Sequence, residues 1–167
     1  GTAGRLWLVV TGFPTGDQAT RARVGAGSGR NGESGEVGPG VRNASGSAIE
    51  TGDHAVVSNV DTYSGNTGIS VGKSARVSDV SASEPSLRGI NAGDGAQISD
   101  AKIVGGFDGV KVLDDALLTH VQVIGASAHA LVGGNRVTVL DCAVTTGSLS
   151  SGAVVLSHSG TIRGCSV

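Results

Sequence analysis

The sequence predicts an all-β fold: a right-handed parallel β-helix solenoid of about six coils, each of 20–23 residues and three short strands. Three observations predict it. A small residue followed by an aliphatic one recurs at Ala48-Ile49, Gly68-Ile69, Gly89-Ile90, Gly109-Val110, Ala130-Leu131 and Ala153-Val154, at spacings of 20, 21, 20, 21 and 23 residues. Eight residues after each of these anchors stands a second one, at Val57, Val77, Ile98, Leu118, Val139 and Ile162. The composition suits a thin, regular stack: 29 glycines, 2% aromatics and no Met leave Val, Ile, Leu and Ala to build the interior.

Strand one of each coil begins at the first anchor. Alternation of period two, as in Gly-Ile-Ser-Val (68–71) and Gly-Val-Lys-Val (109–112), turns the anchor and the residue two beyond it inward. A turn follows at Gly52-Asp53, Gly72-Lys73, Gly93-Asp94, Leu113-Asp114, Gly134-Asn135 and Ser157-His158, made mostly of residue types that turns require. Strand two then carries the inward pair Ala55/Val57 and its equivalents Ala75/Val77, Ala96/Ile98, Ala116/Leu118, Val137/Val139 and Gly160/Ile162. Between strands two and three stand Asn59, Asp79, Asp100, His120 and Asp141, types that tolerate a left-handed backbone. Strand three points Val60, Val80, Ala101, Val121, Cys142 and Cys165 inward. The connection back to strand one absorbs every length difference, over 63–67, 83–88, 104–108, 124–129 and 145–152.

No coil can bury its inner face alone, so like residues must stack at about 4.8 Å, and six coils make a rod of roughly 29 Å. A coil of 20 or more residues exceeds three hexapeptides, which favours the right-handed form that crossover sterics also prefer.

Two stretches stand outside the repeat. Residues 1–45 do not fit the register; Arg5–Val10 reads as one strand that, with Trp7, would cap the solenoid's N-terminal end. Gly25–Gly40 holds glycines in triplet spacing, too few for a triple helix, and is expected to be an irregular loop. Its Gly27-x-Gly29-x-x-Gly32 match is no dinucleotide site, because Gly35, Gly38 and Pro39 forbid the helix that must follow. The division expected is 1–45 as strand, glycine-rich loop and cap, and 46–167 as solenoid. Val167 falls on strand three of the sixth coil, an expectation of either a fragment of something longer or an end covered by a partner.

A formal net charge of −2 supplies no general attraction to nucleic acid or anionic membrane. No apolar run approaches the ~20 residues of a membrane span, and Leu6–Val10 is too short for a signal-peptide core. Two cysteines exclude a disulfide framework, although Cys142 and Cys165 fall in one inward column on successive coils. A reduced stack in the core and a single disulfide between coils are both open there. A zinc site would need two further ligands.

Gly-Ile-x-Val followed by x-Val-x-Asp-Val, clearest at 68–80 and repeated through 89–101 and 109–121, resembles the right-handed parallel β-helix repeats of pectin-lyase-like proteins and phage tailspikes. The resemblance covers about 120 of the 167 residues. It implies the fold directly and a range of functions: polysaccharide lyases and hydrolases, adhesins, and purely structural shafts. Of the motifs that polygalacturonase-like members share, only the paired Asp114-Asp115 is present; neither Gly-His-Gly nor Arg-x-Lys occurs.

Two groups of residues are candidates for chemistry. In the first turn column, Asp94 and Asp114 would stand side by side with carboxylates about 5 Å apart, the separation of a retaining glycosidase pair, with Asp115 beside them. The competing reading is that these are turn residues placed for backbone reasons. In the connections after strand three lie Tyr63, Arg88, Phe107, Asp108 and His129, aromatic faces and polar groups of the kind that bind sugar rings. The expectation is therefore a non-catalytic attachment or shaft segment of a tailspike, tail fibre or secreted adhesin, at a virion surface or outside the cell. It would recognise a polysaccharide or cell-surface glycan and assemble as a homotrimer, with no cofactor, metal, nucleic acid or membrane span. The alternative is a polysaccharide lyase or glycoside hydrolase using Asp94, Asp114 and Asp115.

Overall fold

A computed structural model describes residues 23–24, 40–42, 46–145 and 153–167. The described residues form a parallel β-solenoid of about five turns with no helix. Its strands are β1 (Arg23–Val24), β2 (Gly40–Arg42), β3 (Ser47–Glu50), β4 (Val56–Val71), β5 (Arg76–Ala92), β6 (Gln97–Val104) and β7 (Asp108–Val112). There follow β8 (Leu117–Thr119), β9 (Gln122–Ile124), β10 (His129–Gly133), β11 (Thr138–Leu140), β12 (Ala143–Thr145), β13 (Val154–Leu156) and β14 (Thr161–Arg163).

The strand register reproduces the sequence columns. Ile49 pairs with Ile69, Ile69 with Ile90, Ile90 with Val110, Val110 with Leu131 and Leu131 with Val154. The second column runs Val57, Val77, Ile98, Leu118, Val139, Ile162 in the same unbroken way. These side chains are sealed from water through the fifth coil, where Val139 is 0% exposed. In the sixth coil Ile162 is 50% exposed although it occupies the same column. The core is thus a continuous aliphatic file, buried from Ile49 and Val57 onward and open to water at Ile162.

Both turn columns owe their shape to left-handed residues. Asn59, Asp79, Asp100, His120 and Asp141 all take φ between 49° and 55°, as their residue types anticipate, and Gly164 (φ 64°) completes the column. After strand one the left-handed position lies one residue beyond the predicted pair, at His54, Ser74, Gly95, Asp115, Arg136 and Ser159.

The connection after strand three is not a loop in the first coils. The ladder continues through it, pairing Gly65 with Pro85 and Thr67 with Arg88 across one register shift, so β4 and β5 each run through three predicted elements. At the N-terminal end β2 pairs in parallel with 61–63, so the stack gains a strand ahead of Gly46. There β1 runs antiparallel to β3, with Arg23 opposite Glu50 and Val24 opposite Ile49. The predicted strand Arg5–Val10, Trp7 and most of the glycine-rich stretch lie outside the described residues.

Candidate functional site

The turn after strand one brings Asp94 and Asp114 onto consecutive coils, and there each carboxylate turns to backbone. Asp53 Oδ1 accepts from the Lys73 amide at 2.7 Å, Asp94 Oδ1 from the Asp114 amide at 3.4 Å and Asp114 Oδ1 from the Asn135 amide at 2.8 Å. Asn135 Oδ1 in turn accepts from the His158 amide at 3.3 Å. Asx side chains here satisfy donors that a corner leaves outside the ladder. Two glycines are required where these side chains cross: a Cβ on Gly72 would collide with the Asp53 carboxylate, and one on Gly134 with that of Asp114.

The outer oxygens are occupied as well. Lys73 Nζ lies 3.2 Å from Asp94 Oδ2, Asn135 Nδ2 donates to Asp114 Oδ2 at 3.1 Å, and Arg136 grips Asp115 through both Nε and Nη2. The hydrogen bond from the Asn135 amide holds the Asp114 carboxyl below its ordinary value, and the one from Arg136 does the same for Asp115. A glycosidase acid needs a carboxyl that stays protonated near neutrality, and these two are shifted the opposite way.

The connections hold the more unusual arrangement. Arg88, Asp108 and His129 stand in register on β5, β7 and β10, each two residues before its strand-one anchor. His129 Nδ1 lies 2.9 Å from Asp108 Oδ1 and Arg88 Nε lies 3.7 Å from Asp108 Oδ2. Because a carboxylate only accepts, Nδ1 carries the hydrogen and leaves Nε2 as the ring's other polar atom. Asp108 is buried, at 8% exposure, whereas Asp94, Asp114 and Asp115 are not. Arg88 Nε is itself out of contact with solvent and lacks a hydrogen bond, so it serves Asp108 through charge.

Phe107 adjoins this column with its ring 50% exposed. Its backbone is pinned on both sides, its amide donating to Leu87 O at 3.1 Å and its carbonyl accepting from the Ala128 amide at 2.8 Å. The turn leading to it is made by Gly105 and Gly106, at φ 83° and 94°, where a side chain would be strained. Tyr63 lies in the connection two coils earlier, roughly 10 Å along the axis. It is 41% exposed and donates its hydroxyl hydrogen to Glu84 Oε2 at 2.8 Å.

No protein-family model, curated protein or solved structure matches this chain. It is a parallel β-solenoid, established by its own register.

The structure therefore brings together Arg88, Asp108, His129 and, by sequence adjacency, Phe107, and sets Tyr63 apart with Glu84. The ladder among the three polar residues was within reach of the sequence: reading back two residues from Ile90, Val110 and Leu131 gives Arg, Asp and His. A second feature is a shallow groove of about 270 Å³ on the outer face of strand two, lined by Arg76, Gln97, Leu117 and the hydroxyls Ser78, Ser99 and Thr119. Its signal in the sequence is the small hydroxyl residue following each second anchor from Val57 to Leu118. Among the described residues no three His, Cys, Asp or Glu side chains are grouped to hold a metal ion, and no helix is long and apolar enough to cross a membrane.

Proposed function

We propose that this chain is a non-catalytic attachment or shaft segment of a tailspike-like, tail-fibre-like or adhesin-like protein, recognising a surface glycan along the side formed by the strand-three connections. The observation that carries the reading is Phe107: a half-exposed ring on a backbone held by both neighbouring coils, next to the Arg88–Asp108–His129 column. An aromatic face supplies apolar contact to a sugar ring, and fixed donors beside it orient the hydroxyls. Rigidity adds to affinity, because little side-chain or loop freedom is lost on binding. A homotrimer at a virion or cell surface is part of the same proposal. The engagement of Asp94, Asp114 and Asp115 in contacts between coils favours binding over hydrolysis as the function of this segment.

A glycan array with the purified chain, followed by assays for new reducing ends and unsaturated uronates on any polysaccharide bound, tests the proposal. The expected result is binding without new chain ends, weakened on the order of tenfold or more by Phe107→Ala or Arg88→Ala. Release of oligosaccharide that is abolished in the Asp114→Asn/Asp115→Asn variant would replace the proposal with the lyase or hydrolase reading.

A further inference from the structure

We infer that Cys142 and Cys165 are a disulfide-forming pair that fastens the sixth coil of the solenoid to the fifth. Both cysteines are free thiols in this structure. They occupy one inward column, adjacent in register, since the neighbouring residues Ala143 and Ser166 bridge in parallel. In-register residues on neighbouring strands lie about 4.8 Å apart, inside the Cα separation that a disulfide accepts. The sulfurs stack along the column. The Cys142 amide donates to Cys165 Sγ at 3.4 Å, and the Val121 amide donates to Cys142 Sγ at the same distance. Each Sγ also rests near the carbonyl two residues back, Leu140 for Cys142 and Arg163 for Cys165. Bond formation requires the side chains to rotate out of these parallel positions toward each other. The sixth coil has room to adjust, because Thr161–Arg163 and Gly164 are exposed.

The two thiols differ in access, which orders the chemistry. Cys142 is buried, and burial pushes its thiol up to about 11, whereas Cys165 is only partly covered. With a low-molecular-weight disulfide RSSR as oxidant, the Cys165 thiolate attacks one sulfur and expels RS⁻, which takes a proton from water. Cys142 then gives its proton to solvent, attacks the Cys165 sulfur of the mixed disulfide and expels the second RS⁻. Two protein thiols are oxidised to one disulfide and RSSR is reduced to two RSH, so electrons and protons balance. The crosslink joins the fifth coil, where Val139 is buried, to the sixth, where Ile162 is half exposed.

The test uses the full chain with oxidised glutathione at about pH 8, where thiol–disulfide exchange is fast. Free thiols are titrated, linked peptides are mapped without reductant, and the thermal midpoint is measured before and after. The expected result is a fall from two free thiols to none in a monomer, a peptide joining Cys142 to Cys165, and a midpoint higher by on the order of 5 °C that a dithiol reductant reverses. In the Cys142→Ser variant the reaction is expected to stop at a mixed disulfide on Cys165. A lasting glutathione adduct on Cys165 with Cys142 still free, a disulfide between two chains, or two unreactive thiols would each overturn the inference. A crosslink that leaves the midpoint unchanged would remove its fastening role.

Discussion

Leu118 and Ile162 occupy the same inward column of strand two, and truncating each to alanine separates the contribution of the stack from that of residue type. Leu118 is 1% exposed and has Ile98 and Val139 as its register neighbours. Its truncation removes a fully buried side chain and leaves a cavity between two coils that cannot close on it, a loss of about 2–5 kcal/mol. Ile162 is 50% exposed, with Val139 on one side only. Half of a full transfer term of roughly 1.5–3 kcal/mol, without a trapped cavity, places its truncation at about 1 kcal/mol. In urea the first variant is expected to lower the midpoint by on the order of 1 M and the second by well under half of that. Coils couple only to their neighbours, so hydrogen exchange should show Ile162→Ala loosening β14 and β13 while β4 and β5 keep their protection. If Ile162→Ala costs as much as Leu118→Ala, the outer side of Ile162 is not in water in solution, and the argument from one-sided packing fails.

Gly109→Ala is expected to destabilise by about 1–3 kcal/mol, well beyond the ~0.5 kcal/mol of a surface change, because the new Cβ would press on the backbone carbonyl of Ala130 as well as on Val123; a thermal melt measures it. Asp108→Asn leaves Arg88 without its counterion and should cost about 1–3 kcal/mol in urea, while the milder His129→Ala leaves the Arg88 contact intact. Asp114 and Asp115 have folded-state pKa values below the ordinary 3.8, so their stabilisation is fully present above that value and is lost as pH falls through the lower folded-state values. Acid unfolding followed by circular dichroism should therefore begin at higher pH in the Arg136→Gln variant, which removes the partner of Asp115.

The columns were legible in the sequence because each inward position is constrained by the coils above and below it to one class of residue. Ile49 through Val154 recur at nearly constant spacing, and the left-handed residues Asn59, Asp79, Asp100, His120 and Asp141 stand out because few residue types tolerate that backbone. The connections were less legible. Their lengths vary, so counting forward from strand three loses register before Arg88, Asp108 and His129 are reached, and they read as neighbours in loops. The structure shows them as rungs of one ladder. The continuation of β4 through Tyr63–Thr67 was hidden for a related reason: pairing there passes through glycine and a register shift at Gly65, with no alternation for a pattern to detect. At Asp94 and Asp114 residue type could not distinguish a catalytic carboxylate from one that holds a turn, because the difference lies in which atoms each oxygen meets.

Because every strand-one anchor restarts the register, chain length in this architecture comes in quanta. Inserting one residue within a short strand turns its inward side chains out to water, and the coil can no longer seal its neighbours. Inserting a whole coil after strand three, where successive repeats already differ by up to two residues, leaves each existing contact with an equivalent partner. The rod can thus gain or lose about 4.8 Å at a time. Reach becomes a property that whole-repeat duplication or deletion adjusts without redesigning the core.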